Sequence, residues 1–169
     1  MPKVYVTVIG GSKETDQRVL RIAEEVGRLI AEKGAILVCG GRGGVMEAAA
    51  RGAKKAGGLT VGILPGFNRD EANPYVDIAI PTGMSQARNA INVLAGDVVI
   101  VVGGAAGTLS EVGLALAYGK PVVAIKGTGG VADLLAGRRI GPLTVYSASS
   151  PREAVELAFS LTERDVQTA

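Results

Sequence analysis

The feature that most constrains this chain is a recurring seam: a short run of β-branched residues, then glycines, then apolar residues at helical spacing. Val4 to Ile9 ends in Gly10-Gly11, Ile36 to Val38 runs into Cys39-Gly40-Gly41-Arg42-Gly43-Gly44, and Asp97 to Val102 ends in Gly103 to Gly107. Val and Ile runs without polar alternation belong to strands buried on both faces, as in parallel sheets covered by helices. Further strands are expected at Thr60 to Leu64, Val76 to Ile80, Val122 to Ile125 and Leu143 to Tyr146. After the first seam, Val19, Ile22, Ala23, Val26, Leu29 and Ile30 fall on one helical stripe that Gly34 closes. Other helices are expected from Val45 to Ala56, Ser85 to Ala95, about Thr108 to Tyr118, Val131 to Leu135, and after the Ser150-Pro151-Arg152-Glu153 start signal. Strands alternating with helices predict one α/β domain over residues 1–169. It is a Rossmann-like, doubly wound parallel sheet of about seven strands with helices on both faces.

Composition removes several function classes. The chain has no histidine and one cysteine, Cys39, so neither a disulfide nor a zinc centre is expected, and no cofactor. Lys and Arg total 18 against 16 for Asp and Glu, with two Phe, four Tyr and no Trp. Such a balanced, aromatic-poor chain offers neither a basic strip nor stacking platforms, so no nucleic-acid partner is expected. The opening apolar run reads as a strand rather than a signal peptide, and no stretch has a spanning helix's length. No membrane partner is expected, and the expected location is the cytoplasm.

In a parallel α/β sheet, ligands bind beyond the carboxyl ends of the strands, where helix N-termini gather. Three glycine-rich loops occupy that edge: Gly10-Gly11-Ser12, Gly40-Gly41-Arg42-Gly43-Gly44 and Gly103-Gly104-Ala105-Ala106-Gly107-Thr108. Each presents backbone N–H groups and a positive dipole end to an anion, which predicts a small phosphorylated ligand. The common nucleotide fingerprints are absent. Met46 stands where a dinucleotide motif needs its third glycine, the strand ending at Leu64 lacks the acidic ribose contact, and no Gly-Lys-Ser/Thr occurs.

Glu111, one turn beyond Thr108, is the candidate catalytic carboxylate. It is placed to orient water, bond ribose hydroxyls or face an oxocarbenium-like centre. Thr108-x-x-Glu111 also fits a capping box, in which Glu111 serves only its helix. Arg88 opens the preceding helix, where a cation opposes the dipole and calls for a partner: Glu111, a bound anion or solvent. Arg42 poses the same question. Cys39, at a strand end, reads as a small buried hydrophobe.

With Gly40 to Met46, Arg88, Gly103 to Glu111 and Gly119-Lys120-Pro121 in this order, the chain resembles the Lonely Guy family, often mislabelled as lysine decarboxylases. The resemblance covers the chain to about Ile125. It implies a dimeric Rossmann-like enzyme that hydrolyses the N-glycosidic bond of nucleoside 5′-monophosphates. The family signature Pro-Gly-Gly-x-Gly-Thr-x-x-Glu falls with its Thr on Thr108 and its Glu on Glu111, and the Arg of Met-His-x-Arg-Lys falls on Arg88. Gly103 and Ala105 replace the signature's Pro and second Gly, while Ser85, Gln86 and Asn89 replace Met, His and Lys. These departures resemble a shorter branch that includes proteins similar to the molybdenum-cofactor carrier. Two functions follow: a phosphoribohydrolase using Glu111 and Arg88, and a non-catalytic carrier of a phosphorylated pterin or nucleotide. Lysine decarboxylation is rejected, since nothing here resembles a pyridoxal-phosphate lysine site. The implied homodimer would use the Ala-rich, weakly charged helix Leu109 to Tyr118.

Overall fold

The computed structural model describes residues 3–167. Its strands are β1 (Tyr5–Gly10), β2 (Ile36–Cys39), β3 (Thr60–Leu64), β4 (Ile78–Pro81), β5 (Val98–Val102), β6 (Val122–Ile125), β7 (Arg139–Ile140) and β8 (Leu143–Ala148). The helices are α1 (Gln17–Glu32), α2 (Val45–Lys55), α3 (Arg88–Ala95), α4 (Ala106–Ala117), α5 (Gly130–Leu135) and α6 (Pro151–Gln167). The sheet order is β4-β3-β2-β1-β5-β6-β8-β7. Every pairing is parallel except β7 with β8. The eighth strand, beyond the seven expected, is a two-residue antiparallel return too short to carry a periodic signal.

The buried core has two layers. Val6, Val8, Leu37, Ile100 and Ile125 meet α1, α2 and α6 on one face, while Ile9, Val99, Val101 and Val122 meet α3, α4 and α5 on the other. β5 is buried along its whole length, as its uninterrupted Val-Ile run requires. Among the described residues no helix is long and apolar enough to cross a membrane.

Chain punctuation follows local chemistry. Gly34, at φ +75°, ends α1; its amide and that of Ala35 reach back to Ala31 and Ile30 carbonyls. At α6, the Ser150 hydroxyl accepts the Glu153 amide at 3.1 Å, and Glu153 accepts the Ser149 amide at 2.9 Å. The expected helix from Ser85 divides. Ser85–Ala87 form a 3-10 turn with Ser85 at φ +52°, and α3 proper begins at Arg88. Helix α4 starts at Ala106, two residues before the expected Thr108. The irregular stretch from Pro65 is tied down: the Asn73 amide and side chain donate to the Gly41 and Arg42 carbonyls, each at 2.8 Å.

Helices α1 and α2 cross at bare Cα atoms. A Cβ on Gly27 would run into the Ala49 carbonyl, and one on Gly52 into the Glu24 carbonyl. Backbone cannot swing aside as a side-chain tip can. Gly27→Ala is therefore expected to lose about 1–3 kcal/mol, although alanine is intrinsically the better helix former. Urea unfolding checks this; an unchanged or raised midpoint would show that the helices separate freely.

Candidate functional site

Strand order reverses between β1 and β5, and the loops that leave these two strands meet at the carboxyl edge. The Cβ position of Gly11 is 4.0 Å from the Gly104 Cα. On the α3/α4 side of this meeting point lies a cavity of about 180 Å³, walled by Gly11, Ser12, Ala105, Gly107 and Thr108, with Met46, Gln86, Arg88, Asn89 and Glu111 around it.

The first turn of α4 faces this cavity. Its N-cap is Ala105, which supplies no side-chain bond, so the Ala106, Gly107 and Thr108 amides have no helical acceptor. Gly104, at φ +105°, is bare because Thr108 packs over it: a Cβ there would sit 2.5 Å from the threonine hydroxyl. Around Gly107 there is room, the nearest atom to its Cβ position being Gln86 Oε1 at 3.8 Å.

Glu111 is 6% exposed. With the helix starting at Ala106, neither residue of the supposed capping box stands at a cap. Glu111 Oε2 instead accepts a 2.7 Å bond from Asn92 Nδ2. Burial pushes its pKa up to about 7, against the opposing pull of the Asn92 bond and the Arg88 charge. Arg88 is half-buried, and burial pulls its pKa below the ordinary guanidinium value while Glu111 opposes the shift. Its Nη1 donates to Asn89 Oδ1, and its Nε is buried with no partner among the described residues. Gly40 makes the room: a Cβ there would lie 2.7 Å from Arg88 Nη2 and 2.6 Å from Met46 Sδ. Asn89, 3% exposed, also donates to Ser110 Oγ at 3.0 Å, which in turn donates to the Gly107 carbonyl.

The expected residues thus separate. Gly11, Ser12, Arg88, Ala105, Gly107, Thr108 and Glu111 come together around the cavity. Gly104 lines a second cavity beyond the meeting point. Ala106 lines neither, although its amide belongs to the first turn. Gly41, Arg42, Gly43 and Gly44 also line neither cavity. The Val45 amide bonds the Gly11 carbonyl at 3.1 Å, and a Cβ on Gly44 would strike that carbonyl, so this loop holds the first one from behind. Arg42 turns outward to pair with Glu71 at 3.3 Å. Cys39 is fully buried, its thiol pushed up to about 11 by burial. Sequence reading missed Asn92. Its signal was present: an asparagine one turn after Arg88 in an otherwise apolar stretch.

The chain resembles proteins of two kinds. A cytokinin riboside 5′-monophosphate phosphoribohydrolase of Mycobacterium tuberculosis is 34% identical over 129 residues, covering 71% of this chain and 69% of that protein. The molybdenum cofactor binding protein of Rippkaea orientalis superposes with a TM-score of 0.86 at 45% identity, covering 95% of this chain and 98% of that one. The molybdenum cofactor carrier protein of Chlamydomonas reinhardtii gives 0.80 at 39% identity, covering 96% and 99%. Both sides of the expected resemblance are therefore present. With its residues 3–155 matching that family's model, the chain belongs to the SLOG cluster4 family.

Proposed function

We propose that this chain binds a phosphate monoester of the nucleotide or pterin type, its phosphate on the uncapped first turn of α4, and hydrolyses the N-glycosidic bond of a nucleoside 5′-monophosphate. Glu111 carries this reading: a carboxylate that is almost wholly buried, titrates near neutrality and stands just past free helix-terminal amides. A phosphate held by those amides sets the attached sugar against Glu111. In its ionised form Glu111 takes the proton of a water attacking C1′, faces the positive charge that grows on the sugar as the C1′–N bond breaks, and gives that proton up to the departing base nitrogen. Arg88, with Nε unpartnered, supports that carboxylate or the leaving base. The phosphoribohydrolase relative favours the same chemistry.

A carrier of a phosphorylated pterin or nucleotide is the second reading. Asn89 favours it, standing where the Lonely Guy signature has a lysine and holding Arg88 by its side chain. So do the two molybdenum-cofactor proteins that match nearly the whole chain. Either function would operate in a homodimer if the exposed Ile91, Leu94, Leu109 and Tyr118 of neighbouring helices are covered by a second copy.

Gly107→Asp tests the phosphate cradle. Aspartate in a first helical turn suits the dipole, so α4 should survive, while the new carboxylate competes with the anion. Calorimetry should show nucleoside monophosphate binding abolished in a folded variant; retained affinity would place the phosphate elsewhere.

Glu111→Gln separates catalyst from carrier. The amide still bonds a sugar hydroxyl but takes no proton, so release of free base from AMP, GMP or CMP should fall by about 10²–10⁴ with affinity kept within a few fold. Wild-type activity should rise with pH through about 7 as the carboxylate ionises. Wild-type protein that binds these esters and releases no base over hours is a carrier.

The same variant has a second readout. The folded protein keeps a proton on Glu111 that the unfolded chain loses near 4.5, so this group's stabilising contribution is complete below 4.5 and disappears as pH rises towards and through about 7. Gln has no such dependence. The variant should match wild type in stability near pH 4 and exceed it at pH 8 by something on the order of 2–3 kcal/mol. Equal denaturation midpoints at both pH values would show that Glu111 ionises as freely folded as unfolded.

A further inference from the structure

We propose that Asn92 is a positioning residue for Glu111: its amide holds one oxygen of the carboxylate, leaves the other to the cavity, and is itself fixed by Thr7 on β1. The inference rests on the reading of Glu111 as the reacting carboxylate and adds what holds it in place.

The geometry runs through three elements of the fold. Arg88 and Asn92 stand one turn apart on α3, and both act on Glu111 of α4. Asn92 Nδ2 donates to Glu111 Oε2 at 2.7 Å, while Oε1 has no bond among the described residues and Glu111 lines the cavity. A carboxylate held by one oxygen does not turn freely about its last torsion. That matters for a reacting group, since a misplacement of about 1 Å costs about a hundredfold in rate. Asn92 is fixed in turn. Its main-chain carbonyl is among the last four of α3, which lack helical donors, and the Thr7 hydroxyl supplies one at 2.8 Å. Gly96 makes the room, because a Cβ there would lie 2.3 Å from that hydroxyl.

Packing alone gives no reason for an asparagine here. The layer between the sheet, α3 and α4 is otherwise built of Ile9, Val93, Val99 and Val112. Asn92 Oδ1 is buried with no partner among the described residues, and leucine, with the same branching, would fill the position without that penalty. What leucine could not do is favour the ionised form of its neighbour. Burial works against the Glu111 charge, and the Asn92 bond opposes burial more than the Arg88 charge does. Little else is available for the task. Arg88 and Glu111 are the ionisable side chains on the cavity wall. The Cys39 thiol, pushed up to about 11 by burial, stays neutral. On α5, Asp133 accepts the Gly127 and Gly129 amides. β6 carries no ionisable side chain, and β1 has only Tyr5, at its far end.

The test is the titration of Glu111 itself. Infrared difference spectra of the whole protein against Glu111→Gln isolate the carboxylic-acid band of this one residue. Its midpoint should lie near 7 in the wild type and about one to two pH units higher in Asn92→Leu. Asn92→Ser, too short to reach Oε2 and too small to overpack, should move it in the same direction and serves if the leucine variant does not fold. Release of free base from AMP, GMP or CMP at pH 7 should fall by about 10–100-fold in either variant and regain part of the loss above the new midpoint. Affinity for ribose 5-phosphate should stay within about twofold. An unmoved midpoint in a folded variant overturns the positioning role, whatever happens to activity. A midpoint that moves as expected, in a protein whose wild type releases no base, supports the hold of Asn92 on Glu111 and overturns the hydrolysis instead.

Discussion

The carbonyl oxygens of Gly103 and Gly104 accept the Ala132 and Val131 amides at the start of α5, each at 3.1 Å, and the Gly103 amide donates to the buried Thr128 hydroxyl at 2.9 Å. Thr128 is itself anchored on the Ile125 carbonyl. These bonds turn the loop's first two carbonyls away from the cavity, and the amides that follow face into it. Both glycines take positive φ to do so, +58° and +105°, values that a side chain would resist. Gly130 must be bare as well, because a Cβ there would strike the Gly104 carbonyl. The six-residue α5 thus acts as a clamp on the loop that the proposed chemistry needs, and the part of the glycine-rich segment that lines the Glu111 cavity is its second half, from Ala105 onward.

Burying Glu111 works against folding. Among the described residues only Asn92 bonds its carboxylate and the Asn92 side-chain oxygen finds no partner, while its main-chain carbonyl is occupied by the Thr7 hydroxyl at 2.8 Å. A carboxylate supported this thinly has its pKa pushed up to about 7, so both its forms are populated near neutrality. An apolar side chain of similar volume would pack there without the desolvation penalty. Perturbed carboxylates kept at such a penalty collect at functional sites, and the capping role that would have explained Glu111 without function has no geometry here.

Much of the fold was legible because its signals are long and repeated. The Val and Ile runs of β1, β3, β5 and β6 and the helical stripe of α1 fall within a residue or so of their expected bounds. What escaped was short or depended on contacts distant in sequence. The β7 return has two residues, and the 3-10 turn at Ser85 begins with an unusual φ on a non-glycine residue. The site was legible in its chemistry more than in its membership. Glycine announces that a backbone comes close to something without saying what: at Gly107 it is the Gln86 side-chain oxygen at 3.8 Å, at Gly44 it is the Gly11 carbonyl. The loop from Gly40 to Gly44 has the glycines of a ligand loop, and its Gly44 packs against the Gly11 carbonyl. Asn92 was hidden for the opposite reason, since an asparagine in a helix draws no notice until the carboxylate opposite it is located. Thr128, Gly129 and Gly130 come from a later crossover, and only the sheet order brings them beside β5.

That order also explains why the edge holds two cavities. From β1 the chain moves outward to β2, β3 and β4, then returns through α3 to place β5 on the other side of β1. Helix α1, which follows β1, packs on one face of the sheet, while α4, which follows β5, packs on the other. The two loops consequently start side by side and diverge to opposite faces, leaving space on each side of the point where Gly11 and Gly104 approach. The α4 side has uncapped amides and a buried carboxylate. On the α1 side one first-turn amide is already capped, because the Asp16 side chain accepts the Arg18 amide at 2.9 Å. The α4 side is thus where the proposed phosphate seat and the buried carboxylate stand together.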